Sequence, residues 1–273
     1  MFEKSRFDAG ITPPKPFPYK KIPEEKNELH SPMVGKSHDI IPFDYSKYRE
    51  YLTEVQVVRE LCSKGKFPIA FMKKHFPKNW GPYPLPDFLW PEFLTNAGIT
   101  QKKVKACIEA VRMDLPNDLG RFIFLWLRDK GSLKLKDSEQ YKHVPFLETF
   151  PETEMLMSKY IYEALVKCFE VKYYYGVARP EQMVEEIYGK ERMSVVSYPA
   201  PIHPSYAAGH SAAAAATAKF FFDHYELSEE DKLKIRLGAY YFGQFRTMAG
   251  VHYAVDNLAG LQIGGLDVGY KKD

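Results

Sequence analysis

Apolar residues recur at intervals of three and four along most of this chain, and strand-like alternation is scarce, which predicts helices. Tyr48, Tyr51, Leu52, Val55, Val58 and Leu61 place a first helix over Tyr45–Ser63. Two more are expected over Thr100–Met113 and Asn117–Lys130, the second capped at Asn117 or Asp118 and ended by Gly131. Met155, Leu156, Tyr160, Ile161, Ala164, Leu165, Cys168 and Phe169 predict a long amphipathic helix over Thr153–Tyr174. Pro180 introduces a short helix over Glu181–Tyr188. An alanine run after His210 forms a helix to about Asp223, and Ser228-Glu-Glu-Asp231 is a capping box for a helix through Phe245. A last helix is expected over Val251–Ile263, stopped by Gly264-Gly265. The fold class is therefore all-α, a multi-helix bundle without internal repeats.

Prolines mark what is not helical. Residues 1–45 carry Pro13, Pro14, Pro16, Pro18, Pro23, Pro32 and Pro42 and read as an extended arm, either draped on the domain or disordered, leaving 46–273 as a single helical domain. Phe67–Ile99 holds six prolines and is expected to be irregular.

Composition narrows the function classes. With 45% hydrophobic and 15% aromatic residues, the 273-residue chain can build a core lined with Phe and Tyr. A net charge of +3 and no polybasic block argue against nucleic acid as a partner. Cys62, Cys107 and Cys168 are odd in number and widely spaced, which argues against a disulfide framework or a thiolate zinc site. The charged, proline-rich start has no apolar signal region and no segment is long enough to span a bilayer, so a soluble cytoplasmic protein is expected, with no membrane partner.

The chemistry gathers in three stretches between Val171 and Gly264. Lys172 and Arg179 are seven apart, two helical turns, so they can share one face with an anion between them. The loop Tyr198-Pro-Ala-Pro-Ile-His203-Pro-Ser-Tyr-Ala-Ala-Gly209-His210 runs into the alanine helix. That helix start offers unpaired N–H groups and a positive dipole end to an anion, and His210 can move a proton there. In Arg246-Thr-Met-Ala-Gly-Val-His252-Tyr-Ala-Val-Asp256, the histidine and aspartate are four apart. On a helix the carboxylate would hold one ring nitrogen of His252 and leave the other free as nucleophile or ligand. Singly, each stretch reads as a solvated basic pair, a capping polar residue or a structural pair. Together they supply three cations, two histidines and a carboxylate for an oxyanion.

Lys-x6-Arg-Pro, a proline-rich loop ending Gly-His, and Arg-x5-His-x3-Asp, in this order, resemble the signature of the type 2 phosphatidic acid phosphatase and vanadium haloperoxidase superfamily. His203-Pro-Ser-Tyr-Ala-Ala-Gly-His210 and Arg246-Thr-Met-Ala-Gly-Val-His252-Tyr are most similar to the vanadium bromoperoxidases. The resemblance implies a helical bundle of the haloperoxidase and acid phosphatase type. It implies vanadate as cofactor, with His252 bonded to vanadium and braced by Asp256. Lys172, Arg179, Arg246 and the Gly209 N–H would hold its oxygens, His210 would be acid/base, and His203 would line the halide side. Hydrogen peroxide and bromide would be the substrates. The same residues imply a phosphomonoesterase as the alternative: phosphate replaces vanadate, His252 attacks phosphorus and His210 protonates the leaving oxygen. The family's serine before Gly-His is Ala208 here, and the usual serine before the third-stretch arginine is Phe245. The missing hydroxyl keeps a third reading open, an anion-binding protein with little catalysis. A homo-oligomer is also left open.

Overall fold

The computed structural model describes residues 40–83, 116–136, 149–188 and 203–270. The expected arm up to residue 39, the irregular stretch beyond 83 and the helix over 100–113 lie outside the described residues. Among the described residues the elements are helical, apart from an isolated antiparallel bridge between Leu135 and Tyr225. They are α1 (Tyr48–Ser63, entered through a 3-10 turn at Tyr45–Lys47), α2 (Ile69–His75), α3 (Pro116–Asp129) and α4 (Phe150–Tyr175). Then come α5 (Pro180–Tyr188), α6 (Gly209–His224), α7 (Glu229–Met248) and α8 (Ala254–Ile263). No described helix is long and apolar enough to cross a membrane.

The alanine helix α6 is the axis of the bundle, with α3, α4, α7 and α8 packed around it. Ala212 to Ala216 and Ala218 are all buried. Alanine here does more than favour a helix: it lets neighbours approach to backbone distance. On α8, a Cβ at Gly260 would overlap the Ala208 carbonyl oxygen, and one at Gly264 would overlap the Ala212 carbonyl oxygen. On α7, a Cβ at Gly243 would overlap the Ser211 hydroxyl. Small residues on three helices thus fix where α6 begins relative to α7 and α8. A buried polar network makes the same junction specific. Asn257 Nδ2 donates to Thr247 Oγ1 (2.7 Å) and Gln244 Oε1 (3.2 Å), and Ser211 Oγ donates to Asn257 Oδ1 (3.1 Å).

The end of the arm, from residue 40, drapes on the domain: Phe43 is buried among Tyr48, Tyr51, Tyr206 and Tyr253, and Ile41 N donates to Gln262 Oε1 (2.9 Å). Several other expectations are corrected. Within the stretch expected to be irregular, Ile69–His75 is a helix, because no proline falls between Pro68 and Pro77. The long helix starts at Phe150, not Thr153, with Pro151 tolerated in its first turn. Thr153 is buried inside the helix, its hydroxyl 3.2 Å from that of Tyr225. Gly176, at φ 61°, ends that helix before Pro180 can. The last helix starts at Ala254, not Val251, because Gly250 takes φ 81° and holds the chain in a turn. Ser228 does cap α7, accepting from Asp231 N.

Candidate active site

The site forms where four backbone turns meet. Lys172 lies in the last turn of α4, Arg179 in the turn before α5, His203–Ala208 lead into α6, and Gly250–Tyr253 join α7 to α8. Lys172 and Arg179 do not share a helix face, since the helix stops at Tyr175. They meet because the turn after Gly176 folds the chain back. Tyr48 Oη on α1 donates to Ala178 O (2.7 Å) and pins that turn. Arg59, also on α1 and buried, donates from Nη1 to Met248 O (2.9 Å), closing the end of α7 beside Arg246.

His252 and Asp256 pair at 2.9 Å, Nδ1 to Oδ2, though not along a helix. His252 precedes the helix, and Asp256 is its third residue, reaching back to accept from Tyr253 N (3.1 Å). Capping geometry, not helical periodicity, makes the dyad. Ser205 Oγ donates to the same Oδ2 at 2.5 Å and lies 3.3 Å from His252 Nδ1. The other ring nitrogen, Nε2, faces Arg179 Nη1 at 3.3 Å. Arginine only donates, so Nε2 carries the lone pair and Nδ1 the proton. Arg179 is further held by Val251 O (2.8 Å) and His203 O (3.1 Å), and Lys172 Nζ by Ser205 O (2.8 Å) and Pro204 O (2.9 Å).

Burial sets the protonation states. Lys172, Arg179 and Asp256 are wholly inaccessible, and Arg246 and His252 nearly so. Desolvation lowers the Lys172 ammonium to about 8 and the Arg179 guanidinium to about 10. Desolvation and the facing cations Arg179 and Lys172 hold His252 well below the usual histidine range, hence neutral. His210 is neutral for the same reasons, with Arg246 its strongest charged neighbour. His203 falls to about 4 through burial and the charges of Lys172 and Arg179. Burial raises the Asp256 carboxyl to about 6, opposed by the Ser205 hydroxyl, the Tyr253 N–H and the two cations, so it remains ionised at neutral pH.

The residues suit an oxyanion. Among the described residues no three His, Cys, Asp or Glu side chains group as a cage for a bare metal ion. The site offers one neutral histidine lone pair and desolvated cations instead. The start of α6 adds backbone N–H groups, since its N-cap Ala208 makes no side-chain cap. Ala208 N itself is spent on Asp256 O (2.9 Å).

Residues 153–268 match the PAP2 superfamily. No curated protein and no solved structure matches the chain. The PAP2 span runs from inside α4 to just past α8 and contains every site residue named above except the α1 braces. The all-α architecture of the described residues is consistent with the PAP2 fold, and the match supports a phosphatase- or haloperoxidase-like activity in general. All eight residues expected from the sequence lie within this span. Arg179, His203, His252 and Asp256 are linked by direct contacts, Lys172 joins them through the carbonyls of Pro204 and Ser205, and His210 and Arg246 lie within charge range of them. Gly209 opens α6 beside them.

Ser205, Arg59 and the Asn257 network were not foreseen. Ser205 stands inside the quoted loop, but its partner is 51 positions away, and no periodicity signals that. Cys168, buried, donates to Ala207 O at 3.3 Å and helps seat the loop. It is a packing thiol, raised by burial and thus unreactive.

Proposed function

We propose that this chain is an oxyanion enzyme working through His252, and that its first reaction is vanadate-dependent oxidation of halide, bromide foremost, by hydrogen peroxide. The observation that carries the proposal is the His252 ring itself: Nδ1–H is committed to Asp256, and the Nε2 lone pair is directed into the cationic cluster. Vanadate would be bonded by His252 Nε2, with Lys172, Arg179, Arg246 and the α6 N-terminus at its oxygens. Once bound it supplies a Lewis acid that activates peroxide toward two-electron oxidation of halide. The chain's own groups do the rest. Neutral His210 can accept a proton from incoming peroxide. His203, half-buried and neutral, stands between Arg179 (Nδ1 to Nη2, 3.2 Å) and the ring of Phe169 (centroids 5.2 Å), at the edge where halide would enter. A neutral His203 at this edge, with neutral His210 in charge range of it, is the reason to place halide oxidation first.

The second reading is phosphomonoester hydrolysis, favoured by the same Nε2 lone pair. His252 would attack phosphorus, the P–O bond to the leaving group would break, and His210 would protonate the departing oxygen. That requires the dianionic ester to draw a proton onto His210. His210 would then take a proton from water, which attacks the phosphohistidine and releases phosphate. Asp256 would stabilise the ring while it is cationic.

Purified protein with and without orthovanadate should be given peroxide plus bromide, and separately an aryl phosphate. Bromination that appears only after vanadate loading supports the first reading. Phosphate release blocked by vanadate supports the second. Vanadate binding with neither activity supports an anion-binding protein crippled by Ala208. No vanadate binding at all would refute the assignment.

A further inference from the structure

Outside the active site, the strongest unexplained feature is the solvent face of α4. Met155, Tyr162, Val166, Phe169 and Tyr173 are 63%, 70%, 42%, 36% and 53% exposed, and Val57 is the only other large hydrophobic of comparable exposure among the described residues. Their spacing of seven, four, three and four places them within about 40° of one line along the helix, with Lys159 in the gap. The line has the spacing of a coiled-coil seam and is set opposite the buried face of Met157, Ile161, Ala164 and Cys168.

One flank of the seam is charged. Lys159, Glu163, Lys167 and Glu170 are exposed, and none makes an ion pair or side-chain hydrogen bond among the described residues. The order of these charges selects a partner. In an antiparallel helix pair the same flank of each helix meets, with positions descending on one as they ascend on the other. A register that sets Tyr162 against Val166 of the partner subunit sets Met155 against Tyr173 of the partner subunit. It also brings Lys159 to Glu170 of the partner subunit and Glu163 to Lys167 of the partner subunit, each contact made twice by symmetry. The five side chains expose roughly 500 Å² per copy, about 1,000 Å² across the pair, which reaches the area of about 1,000 Å² that separates a biological interface from a chance contact.

We infer that this face pairs two copies of the chain through antiparallel contact of their α4 helices. The pairing bears on the active site. Phe169 and Tyr173 stack at 6.2 Å, and Phe169 packs on His203, so the end of the seam is the rim of the site. The partner's first turns of α4 cover that rim and narrow the way in. The inference does not depend on which reaction the site runs, because its readout is assembly.

Sedimentation at micromolar concentration tests it. The wild-type chain should be dimeric. Val166→Glu, or Tyr162→Lys if the first variant is poorly folded by circular dichroism, should weaken the dimer at least about 30-fold. Lys167→Glu and Glu163→Lys alone should each weaken it by about 3- to 10-fold, and the double exchange should restore it within about twofold. A monomeric wild type, or a dimer indifferent to both Val166→Glu and Tyr162→Lys, overturns the inference. A dimer broken by either but not restored by the double exchange overturns the antiparallel register.

Discussion

Replacing Asp256 by asparagine tests the centre of the site with the least change in shape. Asp256 Oδ2 accepts from His252 Nδ1, Ser205 Oγ and Tyr253 N, while Oδ1 is buried without a hydrogen-bond partner. An asparagine that keeps its carbonyl on the three donors retains the geometry and loses the charge. Hydrogen bonds to a charged acceptor are worth about 1 kcal/mol more than neutral ones. The amide NH2 would then occupy the position of Oδ1, where no acceptor waits, at about 1–3 kcal/mol. The alternative rotamer puts NH2 against the three donors and drives the His252 proton to Nε2, which removes the lone pair. Either way orthovanadate should bind about 10- to 100-fold more weakly, equivalent to about 1.4–2.8 kcal/mol. Titration calorimetry at neutral pH measures this, and nitrogen NMR of the His252 ring separates the two rotamers by tautomer. Wild-type affinity, within about twofold, in a folded Asp256→Asn variant would refute the role given to the carboxylate.

Four further outcomes are expected. His252→Ala should abolish tight vanadate binding and any phosphoenzyme; undiminished binding would remove the ligand from the site. Ser205→Ala keeps the backbone bonds of that residue and loses one donor to Asp256, so its loss of vanadate affinity should be smaller, about 3- to 10-fold, measured in the same titration. Oxyanion affinity should fall about tenfold per pH unit once pH rises through about 8, where buried Lys172 loses its proton; over the same range, up to the ordinary lysine value, the unfolded chain binds more protons, so thermal stability of the free protein should gain from this group as pH rises. Gly260→Ala should destabilise the fold by about 1–3 kcal/mol in denaturant melts, because its methyl meets the Ala208 carbonyl.

The sequence by itself determined the helices wherever local rules act alone. Periodicity marked α1 and α4, Ser228 started α7, and the alanine run with prolines before it placed the start of α6 within a residue. It also singled out residues that the fold brings together, because ordered motifs preserve identity even where geometry is unknown. It misjudged how they meet. Lys172 and Arg179 looked like neighbours on one helix face, yet Gly176 ends the helix between them and a turn pinned by Tyr48 brings them together. His252 and Asp256 looked like an i,i+4 helical pair, yet His252 lies outside the helix and the bond arises from a capping aspartate reaching back. Ser205 was invisible as a partner of Asp256 for the same reason. Local propensities depend on a few consecutive residues. The placement of α6 against α8 depends instead on Gly260 and Gly264 meeting alanine backbone atoms across the core, and only that close packing decides which side chains share a desolvated pocket and what protons they keep.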